Sequence, residues 1–210
     1  MPKLNSGMAV IEGKWNSKTN ISVKALFDIL SDINFNTPHA YVYEMFCDSG
    51  SLSNIVSRMG KDSNIRYLYV GAHGTDNAIH CSGGRVTRTQ LKNSLSNLSD
   101  GAIQGLFLGS CLFGHAENGN FLLNPPDGKP PIKWVAGYQE SVDWIDSSAL
   151  DLLFWNTFFE LRKMPPVERI KETAKRIREK AGGLVDELGF SIYARRKGPR
   201  GGIRNLLDNR

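Results

Sequence analysis

The stretch YLYVGAHGTD at 67–76, matched by IQGLFLGSCLFG at 103–114, decides the fold. Each is an apolar run that reaches Gly or Ala and then presents one reactive side chain followed closely by glycine. Uninterrupted apolar runs such as GLFLG suit strands buried on both faces, and these belong to parallel sheets covered by helices.

Working outward, MAVIEG (8–13) reads as a short strand, and SVKALFDILSDI (22–33) spaces its apolar residues as a helix with Ser22 as its N-cap. AYVYEMFC (40–47) reads as a strand, SLSNIVSRMG (51–60) as a helix closed by Gly60, and IRYLYVGAH (65–73) as a strand. NAIHCSGGRVT then predicts a hairpin turning at Gly83-Gly84, followed by a helix over 90–98 capped by Thr89. A strand over 103–110, a Pro-rich loop over 124–131 and a strand over 132–138 come next. SSALDLLFWNTFFELRK (147–163) is apolar nearly all round and reads as a helix packed deep against a sheet. Met164-Pro165-Pro166 breaks it, a basic amphipathic helix spans 166–181, and GFSIYARR (189–196) reads as a last strand. The fold class expected is α/β, a mostly parallel doubly wound sheet with helices on both faces.

Open parallel sheets gather their reactive groups outside the carboxyl ends of the strands. His73 and Cys111 each read as one residue beyond such an end, and the hairpin and helix between them are long enough for a crossover to a neighbouring parallel strand. The two side chains would then emerge at one edge. A thiolate beside an imidazole attacks carbonyl carbon, and the imidazole returns its proton to the leaving amine. Gly74 allows close backbone approach, and its N–H with that of Cys111 can form an oxyanion hole. The blander alternative is a buried thiol and a satisfied loop histidine.

The 210 residues, 40% of them hydrophobic, suffice for one substantial core. Among them there is no apolar run of the ~18 residues a membrane span needs, and MPKLNSGMAV lacks a secretory apolar region. Cys47, Cys81 and Cys111 are an odd set without framework spacing, which predicts free thiols in a reducing compartment; a soluble, cytoplasmic protein with no membrane partner is expected. The excess of 26 Lys+Arg over 21 Asp+Glu sits in RKMPPVERIKETAKRIREK (162–180) and YARRKGPRGGIRNLLDNR (193–210). Charge runs solvate surfaces, so a wet helix face and a flexible tail over 197–210 are preferred to a nucleic-acid or acidic-partner patch.

The strand into AHG (72–74), the hairpin and helix of NAIHCSGGRVTRTQL, the strand into GSC (109–111) and WVAGYQESVDWIDSSALDLLFWNTFF (134–159) together resemble the caspase-like cysteine peptidases. The similarity spans 8–163 and is nearest the bacterial, CHAT and separase-like branch. It implies a caspase-like peptidase domain over 1–196 with His73 as general acid/base, Cys111 as nucleophile and Gly74 as oxyanion donor. It also implies a protein or peptide substrate, admits an activating or associated protein, and calls for no cofactor. Animal caspases carry Gln-Ala-Cys-x-Gly where this chain has GSCLFG, and their aspartate-binding arginines have no counterpart here. The CHAT and separase branches place a carboxylate in the segment matching VDWID and prefer a basic residue before the cleaved bond. By that resemblance Asp146, or failing that Asp143, sits at the base of the pocket, whereas WIDSSALD also reads as an N-cap through Asp146 or Ser147. With basic specificity, the loop 124–131 and the tail RRKGPRGGIR become candidate sites of activating self-cleavage.

Two rivals are open on sequence grounds. His73, His80, Cys81, Cys111 and His115 include zinc-type ligands, but His80-Cys81 are adjacent and Cys111-x3-His115 lacks a second compact pair, so no metal is expected. The other rival is a non-catalytic scaffold whose basic C-terminal part binds nucleic acid or a partner protein.

Overall fold

The chain alternates strand and helix, except for three short strands that follow its third strand, and a helix pair and a strand pair near its end. In the computed structural model, which describes residues 6–15, 18, 21–99, 102–124, 132–195 and 202–208, the elements run β1 (Met8–Gly13), α1 (Lys24–Phe35), β2 (Val42–Phe46), α2 (Ser49–Lys61) and β3 (Tyr67–Gly71). Three short strands follow, β4 (His73–Thr75), β5 (Ala78–Cys81) and β6 (Gly84–Thr87), then α3 (Arg88–Ser96), β7 (Gly105–Gly109), α4 (Ala116–Leu123) and β8 (Trp134–Tyr138). The chain continues with α5 (Trp144–Glu160), α6 (Pro166–Glu187), β9 (Phe190–Arg195) and β10 (Ile203–Asn205).

Seven strands form one sheet in the order β10-β9-β8-β7-β3-β1-β2. The pairs from β2 through β8 are parallel, and β9 and β10 run antiparallel at one edge. Phe27, Phe154, Phe158 and Ile177 of α1, α5 and α6 cover one face, and Leu52, Leu91 and Leu122 of α2, α3 and α4 cover the other. The result is a three-layer α/β sandwich, as the apolar strands require. Rings from β3, β7, β8 and α5 crowd the first face: Phe107 stacks on Tyr69 at 5.3 Å, and Trp134 meets Phe158 at 5.7 Å.

Several boundaries differ from the sequence expectation for local reasons. Val23 rather than Ser22 occupies the N-cap of α1, while the Ser22 hydroxyl accepts from the Lys24 N–H at 3.0 Å. Gly60 lies inside the last turn of α2, where its missing side chain leaves room for Leu98. The hairpin turns at Ser82-Gly83, and Thr87, not Thr89, caps α3 in a reciprocal pair with Gln90. Helix α4 and strand β4 were not legible in the sequence. Helix α6 runs on to Glu187 across a kink at Ala181. The stretch expected as a flexible tail contains β10, which pairs with β9 and buries Leu207 beside it. Residues 125–131, most of the Pro-rich loop, and 196–201 lie outside the described residues, and with them much of the expected self-cleavage sites. Among the described residues, no helix is long and apolar enough to cross a membrane.

Candidate active site

Strand β3 ends at Gly71 and β7 at Gly109, and the sheet register pairs these two glycines. His73 and Cys111 each stand two residues past that matched pair, one further than the sequence spacing implied. Between them, β4, β5, β6 and α3 make the crossover that returns the chain to the adjacent parallel strand. Both side chains line one cavity of about 150 Å3, with Trp15, Tyr69, Val142 and Asp151 among its other walls.

The backbones behind the two side chains touch. A Cβ built on Gly74 would stand 2.2 Å from the Cys111 carbonyl oxygen and 3.2 Å from its nitrogen, so only glycine fits. Leu112, next after the cysteine, adopts a left-handed φ of 61°, costly for a branched side chain and held by its neighbours. Its N–H donates to the Glu140 carbonyl at 3.1 Å, and the Gly114 N–H donates to the Tyr138 carbonyl at 2.7 Å. The turn thus aims the half-buried Cys111 into the cavity. The thiol faces Val142, whose N–H donates to Sγ at 3.5 Å.

His73 is oriented from the opposite wall. Its Nε2 lies 2.8 Å from the Trp15 carbonyl oxygen. A carbonyl can only accept, so Nε2 carries the proton and Nδ1 of the neutral ring is left as acceptor. The Trp15 ring stands edge-on to His73 at 5.3 Å and to Trp144 at 4.9 Å. Trp15 is itself fixed by Glu12, a carboxylate with no solvent exposure at the end of β1. Glu12 accepts from the Trp15 indole N–H, the Ser22 hydroxyl at 2.6 Å, the Val23 N–H at 2.8 Å and the Tyr43 hydroxyl at 2.5 Å. Hydrogen bonding to Glu12, after burial, raises the Tyr43 hydroxyl to about 12.

The carboxylate of the cavity is Asp151. It projects from the second turn of α5, buried, with Oδ1 accepting from the Tyr138 hydroxyl at 2.5 Å and Oδ2 from the Tyr69 hydroxyl at 2.8 Å. Burial pushes its pKa up to about 7, and the two hydroxyls pull against that rise. Tyr69 reaches it because Gly109 is bare: a Cβ there would stand 2.1 Å from the Tyr69 oxygen.

Asp143 and Asp146 lie elsewhere. Asp143 is the N-cap of α5, its side chain accepting from the Ile145 N–H at 2.7 Å, and Asp146 follows in the first turn; neither lines the cavity. Asp151, Glu12 and Trp15 were missed by the sequence reading. One signal for Asp151 was available, since a carboxylate inside an otherwise apolar helix needs buried partners. Tyr69 and Tyr138, inside apolar strands, needed partners for their hydroxyls too.

The remaining sulfur and imidazole groups scatter. Cys47 is exposed at the end of β2, Cys81 lies in the hairpin bonded to the Gly84 carbonyl, and His115 stands 3.6 Å from Asp76. Among the described residues, no three His, Cys, Asp or Glu side chains gather closely enough to hold a metal ion. No protein-family model and no curated protein matches the chain by sequence.

Proposed function

We propose that the chain is a cysteine endopeptidase that cleaves polypeptides after Arg or Lys. The observation that carries this reading is the placement of His73 and Cys111 beyond the paired ends of β3 and β7, on one cavity that also holds a buried carboxylate. Nδ1 of His73 takes the thiol proton, and Sγ of Cys111 attacks the carbonyl carbon of the scissile bond. The N–H groups of Gly74 and Cys111 receive the oxyanion. The imidazolium then protonates the leaving amine, a thioester remains on Sγ, and water activated by the same imidazole hydrolyses it.

Specificity is read from Asp151. A guanidinium or ammonium entering the cavity gains a charge-assisted partner and restores the ionised carboxylate, whereas an acidic side chain would meet a like charge. Asp143 is engaged as the N-cap of α5, and Asp146 in its first turn lies outside the cavity. The free thiols at Cys47, Cys81 and Cys111 suit the cytoplasm.

The scaffold alternative draws less support from the basic helix α6. Arg176 pairs with Glu172 at 2.9 Å and Arg178 with Asp186 at 2.5 Å, while Arg169 lies buried over the Phe158 ring at 4.9 Å. Those cations are committed within the chain instead of forming a continuous patch for phosphates.

A fluorogenic peptide library varied at the residue before the bond tests the reading. Cleavage after Arg and Lys, abolished by Cys111→Ala, supports it. Preference for Asp, or turnover that survives Cys111→Ala, contradicts it.

A further inference from the structure

The second sheet, β4-β5-β6, carries a row of side chains that begins at His73 and continues with two residues the chemistry above does not use. His73 pairs with His80, and His80 with Arg85, so the three residues stand side by side across the sheet. Ile79 and Val86, in the adjacent row with Gly74, are buried, which turns His73, His80 and Arg85 together toward solvent. Thr75 and Thr87 follow on the same outer face.

A cavity of about 460 Å3 opens on this face, lined among others by Thr75, Asn77, His80, Arg85 and Arg88. None of its lining residues is acidic. Of the nearby carboxylates, Glu117 pairs with the lining Arg88 at 2.5 Å and offsets that charge, and Asp76 stands 3.6 Å from His115, which leaves Arg85 as the cation of the recess. The exposed guanidinium of Arg85 has neither a hydrogen bond nor an ion pair among the described residues. A cationic, hydroxyl-lined recess with a free guanidinium is suited to a carboxylate.

The row also has a direction. On the peptidase reading, on which this inference rests, the side chain before the bond enters the Asp151 cavity and His73 hands its proton to the departing nitrogen. The departing chain therefore begins at His73, and the His73–His80–Arg85 row leads away from the bond. Strands lie ~4.8 Å apart and an extended chain advances ~3.3 Å per residue, so Arg85, two strands on, sits roughly three residues along.

We infer that the outer face of β4-β5-β6 is a substrate subsite, in which Arg85, beside His80 and Thr75, binds an Asp or Glu about three residues after the cleaved bond. The protein would then recognise a basic residue on one side of the bond and an acidic one on the other.

Three internally quenched peptides test this, alike in an Arg before the bond and differing only in Glu, Gln or Lys at the third position after it. At low salt kcat/KM is expected to fall in the order Glu, Gln, Lys, with Glu over Gln by about fivefold, the scale of a well-placed but solvent-exposed ion pair. Arg85→Ala should erase the Glu-over-Gln ratio, Arg85→Glu should invert it to favour Lys, and raising the salt should compress it. Equal rates for the three peptides, or a ratio that survives Arg85→Ala, overturn the subsite while leaving the peptidase standing. Cleavage of none of them removes both together.

Discussion

The Trp15 carbonyl oxygen sits 2.8 Å from Nε2 of His73 and fixes the histidine as the tautomer whose Nδ1 is free to accept a proton. Trp15 depends in turn on Glu12, whose two oxygens receive four donors, so the geometry of His73, the proposed general base, reaches back to a buried carboxylate on β1.

Glu12→Gln should therefore loosen His73 without touching it. An amide there turns one donor toward another donor, at a cost of about 1–3 kcal/mol in stability. Because Glu12 acts through Trp15, kcat should fall more than KM, and long-range nitrogen NMR of the His73 ring should pass from a single Nε2-protonated tautomer to a mixture. An unchanged tautomer with a normal rate would separate Glu12 from the site.

Asp151 links stability to pH, and on the proposed peptidase reading it links specificity to pH in the opposite sense. Its folded pKa, raised by burial to about 7, lies above the ordinary carboxylate value. The folded state thus holds a proton that the unfolded chain releases, and the stability this confers is complete below about pH 4 and lost as pH rises through 7, on the order of 4 kcal/mol in all. Asp151→Asn should remove that slope, because an amide carries no charge to desolvate and the Tyr138 hydroxyl, which also donates to the Ser147 carbonyl at 3.0 Å, can accept from its NH2. Thermal unfolding from pH 5 to 8 should show the variant gaining on wild type at the alkaline end. Over the same range, the preference for Arg over a neutral residue before the bond should rise in wild type and vanish in the variant; parallel unfolding curves would refute the assignment.

Gly109→Ala is expected to push the Tyr69 ring away from Asp151, since the added Cβ would lie 2.1 Å from the phenolic oxygen. The variant should lose stability by about 1–3 kcal/mol, the scale of overpacking a core, and its cleavage after Arg should drop more than its labelling by a small thiol reagent. Equal losses in the two assays would mean that Tyr69 supports the fold alone.

The sheet was legible in the sequence because parallel strands buried on both faces leave continuous apolar runs such as YLYVG and GLFLG. The pairing of Gly71 with Gly109 follows from crossover geometry, which is why His73 and Cys111 could be connected across nearly forty residues. Asp143 and Asp146 stand out through the resemblance of VDWID to a carboxylate-bearing segment; the competing N-cap falls on Asp143, which accepts from the Ile145 N–H. Asp151 was hidden by its own partners, as the two tyrosines that satisfy it come from strands distant in sequence. The Glu12–Trp15–His73 relay was hidden in the same way: a backbone carbonyl leaves no mark in residue type. Strand β10 was masked by the charge around it, since three residues pairing on an edge carry too short a pattern to stand out.

The most direct test is covalent capture of the proposed nucleophile. An arginyl acyloxymethyl ketone should add one equivalent to the wild-type protein by intact mass, none to Cys111→Ala, and only slowly to His73→Ala, with the adduct mapping to Cys111. Adduct formation that persists in Cys111→Ala, or a wild-type protein that stays unmodified while its other thiols react with iodoacetamide, would contradict a Cys111–His73 peptidase.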